Sequence, residues 1–256
     1  MLPALYHYFK TPLPYVQALS LQEKIHQLQL LQRRTSSHKD ILLLLQHRPV
    51  YTSGRRQTSE SLKDERARLT NIGADFVTTA RGGELTFHGP GQIVGYPLFD
   101  LSRTSAPVTV REYVCRLQKA LELHLLEAHG IKHVPLDHTG VFLDAHTKIA
   151  SIGVQVRHRL TTHGFAMNIT SEPLPWFNHI VACGLADVKA GSVESAKTRE
   201  MDIHAEIPAL LSSLGRMLDR DFSPMNLADK GEIEKAIAGA EEDALKAGSW
   251  AMVPGT

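Results

Sequence analysis

The sequence predicts one α+β domain over residues 1–256, a mixed and largely antiparallel β-sheet flanked by helices. Three observations carry this. Strand-length apolar segments recur at 41–46, 76–79 and 93–101, and from Thr139 to Ile169 the apolar period is two. Residues 15–34 and 108–129 carry apolar residues at helical spacing. No repeat, low-complexity tract or linker divides the chain, so strands and helices share one core.

In order, Ala18, Leu21, Ile25 and Leu28 give the first helix its apolar side, with glutamines and charges between them. Residues 33–40 form a polar loop, and Ile41–Gln46 is a continuous apolar run suited to a strand buried on both faces. Residues 55–71 are charged and partly helical, and Phe76–Thr79 is a strand. Ile93–Leu101 is a strand whose Pro97 predicts an edge or a bulge. Residues 108–129 form the clearest helix, with Val110, Val114, Leu117, Leu121 and Leu125 on one face and Gly130 as its stop; Cys115 flanks that face as a structural or incidental thiol. Gly140–Leu143, a turn at 144–147 and a strand from Lys148 to Arg157, interrupted at Gly153, precede a returning strand at His163–Ile169. Pro173 and Pro175 break the pattern before a short helical turn at Trp176–Ile180. A helix at about 201–217 buries Ile207, Leu210, Leu211 and Leu214; residues 226–246 read as a surface helix, and 248–256 as a frayed tail.

Composition narrows the function. A formal net charge of +1 provides no overall basic field for nucleic acid. The longest aliphatic run, Ile41–Leu45, is far too short to span a membrane, and no basic segment followed by an apolar stretch marks a secretory leader. Two cysteines, Cys115 and Cys183, make no disulfide framework and favour a reducing, intracellular compartment.

The chemistry concentrates around Arg81-Gly-Gly-Glu-Leu-Thr-Phe-His-Gly-Pro-Gly-Gln92. Gly82-Gly83 and Gly89-Pro90-Gly91 bracket an alternating strand, Glu84–Phe87, with Arg81 and His88 at its ends. That arrangement lines a pocket or simply closes a hairpin. Cys183, followed by Gly184 and lying off any apolar helix face, is the nucleophile candidate; the plain alternative is an inert buried thiol. A free thiol is only slightly ionised at neutral pH, so a cationic or basic neighbour is required, and His88, His138, His146, His158, His163 and His179 all qualify by type.

These motifs resemble those of the lipoyl(octanoyl) transferases, which share the biotin and lipoate protein ligase fold. The resemblance runs over about residues 10–195. It also includes His47-Arg-Pro-Val-Tyr-Thr-Ser-Gly54, Thr139-Gly-Val141, Lys148-Ile-Ala-Ser-Ile-Gly153, His163-Gly-Phe-Ala-Met-Asn168 and Ala182-Cys-Gly184. It implies a two-step transfer through a Cys183 thioester with Lys148 as the partner of the cysteine, although Lys148 alone reads as a surface lysine at a strand end. It further implies an acyl pocket with three walls: Arg81, Gly82, Gly83, Glu84, Leu85, Thr86, Phe87 and His88; Ser151, Ile152 and Gly153; Gly164, Phe165 and Ala166. Glycines would let backbone amides reach the thioester carbonyl as an oxyanion hole. The implied donor is octanoyl-acyl carrier protein. The implied acceptors are lipoyl domains of 2-oxoacid dehydrogenase complexes and the glycine cleavage H protein, with no nucleotide or other cofactor. The compartment would be mitochondrial in a eukaryote and cytoplasmic in a bacterium.

Two other readings compete. An ATP-dependent lipoate or biotin ligase would share the glycine turn, but Pro90 removes an amide that a phosphate loop uses, and Gly89, Gly91 and Gly95 miss the dinucleotide spacing. A non-catalytic acyl- or metal-binding protein would exploit the 14 histidines, yet His179 and Cys183, at i and i+4, lack two further zinc ligands at recognisable spacing, so no metal site is expected.

Overall fold

The computed structural model describes residues 1–34, 38–57, 62–103, 108–181, 184 and 187–250. The chain enters on β1 (Leu2–Tyr8) and passes through α1 (Tyr15–Arg33), β2 (Asp40–Leu45), β3 (Val50–Ser53), α2 (Lys63–Asn71), β4 (Asp75–Thr78), β5 (Thr86–His88) and β6 (Gln92–Leu98). It continues through α3 (Val110–His129), β7 (Val141–Asp144), β8 (Thr147–Arg157), β9 (Leu160–Asn168), α4 (Leu174–Phe177), β10 (Lys189–Ala190), α5 (Val193–Lys197), α6 (Ile207–Leu218), β11 (Arg220–Pro224) and α7 (Glu232–Lys246).

Among the described residues the main sheet runs β10-β8-β9-β6-β2-β1-β11, with β7 also on β8; β3 carries β4 and β5 in a smaller second sheet. The β2–β6–β9–β8 ladder is antiparallel, whereas β1 pairs parallel to both β2 and β11.

The apolar run at 41–45 behaves as its pattern requires. Leu42 and Leu44 enter the core beneath α3 and α6, while Ile41, Leu43 and Leu45 enter a second core beneath α1 and α7. Period two with both faces covered gives an unbroken hydrophobic string. A third cluster, including Tyr51, Leu69, Phe76, Leu85, Phe87 and Trp176, holds the small sheet to α2 and α4.

The helices fall where their spacing placed them, with instructive departures. In α3 the Thr109 hydroxyl accepts from the Glu112 amide at 3.1 Å, and Gly130 ends the helix at φ 65°. Its buried face includes Tyr113, Leu117, Leu121, His124 and Leu125, and Val110 is exposed. In α1 two glutamines turn inward: Gln22 Oε1 accepts from the His163 amide at 2.7 Å, and Gln29 donates to the carbonyls of Lys39 and Leu98. Side-chain amides of this kind satisfy backbone groups that the sheet leaves open.

Several expectations are corrected. Two strands, β1 and β11, escape the apolar pattern. Pro97 lies neither at an edge nor at a register bulge, because β6 sits between β2 and β9 and the register with β9 is the same at Gly95–Phe165 and Asp100–Leu160. Its carbonyl accepts from the Thr161 hydroxyl at 2.6 Å, so its nitrogen also faces β9, where the ladder opens and the missing donor costs no bond. Gly153 lies within an uninterrupted β8, opposite Gly164. The strand expected at 84–87 is β5, 86–88, with bends before it. The helix expected from 201 begins at Ile207, and the surface helix at 226–246 is α7, which buries Ile233, Ile237, Ala240 and Ala244 in the core it shares with α1. Arg48 donates to the carbonyls of Ala247 and Ser249 and lies 5.8 Å over the Trp250 ring, which fastens the start of the supposed tail; residues 251–256 lie outside the described residues.

A buried ion pair spans the sheet. Arg220 Nε donates to Asp40 Oδ2 at 2.8 Å, and the second carboxylate oxygen accepts from the Asp100 amide at 2.9 Å. Both side chains are almost fully buried, which fits paired and hydrogen-bonded charges.

Candidate active site

Two neighbouring clefts lie where β5, β6, β8 and β9 meet. The first is lined by Arg81, Gly82, Gly83, Thr86 and His88 from the glycine turn and β5, by Ser151, Ile152 and Gly153 from β8, and by Gly164, Phe165 and Ala166 from β9. Tyr15, Val94, Tyr96 and His163 complete it. The second is lined by Thr86, Phe87, Gln92, Lys148, Ile149, Ser151, Ala166, Asn168 and Phe177, with Val188, Lys189 and Ala190. Thr86, Ser151 and Ala166 therefore form a wall common to both. Glu84 and Leu85 line neither: Leu85 is buried in the third apolar cluster, and the Glu84 carboxylate lies against Gly184.

Arg81 shapes the turn rather than presenting a free charge. Its guanidinium donates to the Thr52 carbonyl (2.6 Å), the Thr52 hydroxyl (2.8 Å), and the carbonyls of Glu84 (2.9 Å) and Gly82 (3.0 Å). The loop is thus folded back onto β3, so closely that any side chain at Gly54 would overlap the Gly83 carbonyl. The Gly82 amide, an expected oxyanion donor, is taken by the Val154 carbonyl at 3.0 Å.

Lys148 is the second residue of β8 and is only 8% exposed, unlike the surface lysine its local sequence suggests. Its Nζ donates to the Thr139 carbonyl at 3.1 Å and lies 5.3 Å from the centroid of the Phe142 ring. Gly140 provides the seat: a Cβ there would stand 2.5 Å from Lys148 Cε, and φ is 126°. A Cβ there also stands 2.6 Å from the Ala150 carbonyl, so Gly140→Ala is expected to displace the ammonium and strain the hairpin, lowering both activity and thermal stability. Parallel transfer assays and melting curves check this; equal activity with wild type contradicts it.

A polar network holds the clefts. Gln92 donates to Asn168 Oδ1 at 2.8 Å and to the Phe87 carbonyl at 3.2 Å, and Asn168 donates to the Gly191 carbonyl at 2.8 Å. The Gln92 oxygen is thereby left to accept from His88 Nδ1 at 3.2 Å, which fixes the tautomer with Nε2 as the acceptor. His47 Nδ1 donates to the Leu13 carbonyl at 3.0 Å, and its Nε2 accepts from the Tyr96 hydroxyl at 2.6 Å. Tyr15 stacks on His88 with ring centroids 6.0 Å apart. His163 holds a left-handed φ of 58° in the middle of β9, a conformation a non-glycine residue keeps only when its surroundings impose it.

Burial keeps these imidazoles neutral. It lowers His47 to about 4 and His163 to about 3, the latter also opposed by the Arg81 charge, and it pushes His88 well below its ordinary value. Between pH 6.5 and those values the unfolded histidines hold protons that the folded ones refuse. Their contribution to stability is thus complete above pH 6.5 and is lost as the pH falls toward 4 and 3. Each such histidine steepens the loss by up to about 1.4 kcal/mol per pH unit. Denaturant unfolding between pH 7.5 and 5 is expected to show falling stability, with a shallower slope in His163→Gln; a pH-independent profile contradicts this.

Cys183 lies outside the described residues, as do 182, 185 and 186. On one side of it in sequence, the carbonyl of His179 accepts from Arg68 at 2.5 Å. On the other, Lys189 and Ala190 pair with Thr147 and Lys148, and the Gly191 amide donates to the Lys148 carbonyl at 2.9 Å. Sequence reasoning gave Tyr15 and Tyr96 no role. It also left Gln92 and Asn168 without a role, although both stand inside the motifs.

The model of the lipoyl protein ligase A/B catalytic domain matches residues 14–215. The octanoyltransferase of Caldicellulosiruptor saccharolyticus is 34% identical over 223 residues, covering 86% of this chain and 92% of that one. The mitochondrial octanoyl-[acyl-carrier-protein]:protein N-octanoyltransferase of Danio rerio is 37% identical over 199 residues, covering 78% and 85%. The bipartite lipoate protein ligase of Thermoplasma acidophilum superimposes with a TM-score of 0.65 at 17% identity over 96% of this chain and 93% of that chain, a likeness of fold. A lipoate-protein ligase A bound with ATP does so at 0.62 and 15%, over 96% and 95%. With its two clefts built from the motifs that span the matched region, the chain belongs to the lipoyl protein ligase A/B catalytic domain family.

Proposed function

We propose that the protein is an octanoyltransferase, which moves an octanoyl group from octanoyl-acyl carrier protein to a lysine of a lipoyl domain through a thioester on Cys183. The observation that carries the reading is the buried ammonium of Lys148 in a cleft that shares a wall with the three-sided pocket of the glycine turn, β8 and β9. The relatives named octanoyltransferases support it. The return of the chain at Lys189–Ala190 alongside Thr147 and Lys148 supports the pairing of Cys183 with that lysine.

In the first step the Cys183 thiolate attacks the thioester carbonyl. The carrier's thiolate leaves and is protonated. In the second step the acceptor amine attacks the acyl-cysteine, loses a proton and expels the Cys183 thiolate, giving an amide. Thr86, Phe87, Ile152 and Phe165 flank the chain of the acyl group, while the backbone from Arg81 to His88 supports its carbonyl end. The acceptors are lipoyl domains of 2-oxoacid dehydrogenase complexes and the glycine cleavage H protein. The compartment follows the source, mitochondrial in a eukaryote and cytoplasmic in a bacterium.

The likeness of fold to lipoate ligases keeps one rival in view, activation of a free acid by ATP. Transfer is expected from octanoyl-acyl carrier protein without ATP or magnesium. Efficient use of free octanoate with ATP, together with no use of the thioester, sinks the proposal in favour of a ligase.

A further inference from the structure

We propose that His124, His129 and Glu206 bind one divalent transition-metal cation of the zinc class, away from the acyl clefts. The two histidines stand on the last turns of α3, and the glutamate immediately precedes α6. Their ligand atoms lie within 4.8 Å of one another, and all three residues are buried. Glu206 Oε2 is 3.0 Å from His124 Nε2 and 2.8 Å from His129 Nε2.

Two features set this cluster apart from an ordinary buried ion pair. His124 is fully enclosed; its Nε2 faces the Glu206 carboxylate at 3.0 Å, and its Nδ1 has no hydrogen-bond partner among the described residues. Both Nε2 atoms converge on one carboxylate oxygen, and a cation between the three satisfies them without a proton on either nitrogen, though it does not reach Nδ1. Glu206 occupies the cap position of α6 but accepts no amide of that helix, so its carboxylate is committed to the histidines instead.

The donor set selects the ion. Zinc bonds to imidazole nitrogen at about 2.0–2.1 Å, which separates neighbouring tetrahedral donors by about 3.3 Å, so the two approaches of 2.8 and 3.0 Å lengthen by about 0.3–0.5 Å to admit the ion. Two imidazoles and a carboxylate are a nitrogen-rich set that suits zinc or cobalt, and not magnesium or calcium, which take oxygen. None of the three lines either acyl cleft, so the ion's task is to staple α3 to α6 and to stabilise the fold by linkage. No sequence signal announces it: the histidines are five residues apart and the glutamate is 77 residues beyond the second.

The test uses the untagged full chain. After removal of metal with a chelator, elemental analysis of zinc-reconstituted and gel-filtered protein is expected to give one zinc per chain. Cobalt is expected to produce the visible bands of a low-coordinate site, and zinc to raise the melting temperature of the apoprotein. Changes outside a metal's own ligands weaken sites about tenfold to a hundredfold, so His129→Gln and Glu206→Gln are expected to weaken zinc binding at least about a hundredfold. His138→Gln/His158→Gln, at exposed histidines, is expected to keep full stoichiometry. Wild-type protein that retains no zinc, shows no cobalt bands and gains no melting temperature overturns the proposal, whether or not the variants fold. So does binding that survives in both ligand variants or disappears with the exposed histidines.

Discussion

Mixing with octanoyl-acyl carrier protein is expected to add one octanoyl group to wild-type protein and to Cys115→Ser, and none to Cys183→Ser. Cys115 is exposed on α3, away from the clefts, which makes it a fair control for adventitious acylation. A serine hydroxyl is a far weaker nucleophile than a thiolate at neutral pH, and a nucleophile that acts as one unit with its base is lost almost completely when replaced. Overall transfer in Cys183→Ser is therefore expected to fall by at least about a thousandfold. Intact-mass measurement decides the first point and a lipoyl-domain octanoylation assay the second. An acyl adduct that persists in Cys183→Ser removes the thioester from the reaction.

The next largest effect is expected at Lys148. A thiol of ordinary pKa, about 8.5, is roughly 3% ionised at pH 7; lowering the pKa to about 7 raises that to about one half. An ammonium about 4 Å away supplies up to roughly 4 kcal/mol at an effective dielectric near 20, before desolvation subtracts from it. Lys148 is buried and oriented by the Thr139 carbonyl and the Phe142 ring, so its charge is held in place. It also has a second use: it gives its proton to the departing carrier thiolate in the first step and, neutral once the acyl-enzyme has formed, accepts one from the attacking amine in the second. Lys148→Met is expected to slow both half-reactions and to move the pH profile of Cys183 alkylation upward, with circular dichroism unchanged. Lys148→Arg is expected to fail in the proton transfer, because guanidinium does not deprotonate, and to crowd the seat that Gly140 leaves for Cε. An alkylation profile unmoved in Lys148→Met transfers the activating role to another group.

The sequence disclosed those parts of the fold whose pattern is local. The string Ile41–Leu45 announced a strand with both faces covered, Thr109 and Gly130 bounded α3, and the hairpin of β8 and β9 was visible in its period. Strands β1 and β11 were not, because Leu2–Tyr8 mixes aromatic and histidine side chains and Arg220–Pro224 is largely polar; only parallel pairing with distant partners makes them strands. The pocket walls were grouped by family motifs rather than by physics. The burial of Lys148 was hidden for a different reason: its seat is made by Gly140 and Phe142, across a hairpin. The inward glutamines of α1 mark a limit of hydrophobic patterning, since a polar residue that satisfies the backbone counts against burial when only hydropathy is read.

The β1–β11 pairing has a consequence for synthesis. As the chain leaves the ribosome, β1 can join β2 early, but its other edge stays bare until residues 220–224 emerge, after every residue that lines the two clefts. Over the same interval Asp40 has Arg103 3.5 Å from one carboxylate oxygen but still lacks the 2.8 Å bond from Arg220, 180 residues later, to the other. The nascent protein thus carries an open parallel edge and an incompletely paired buried acid through most of its translation, the conditions under which strands recruit the wrong partner. A chain cut short before residue 220 keeps that edge open, so a strand that lines neither cleft is needed to complete the pairing of the first.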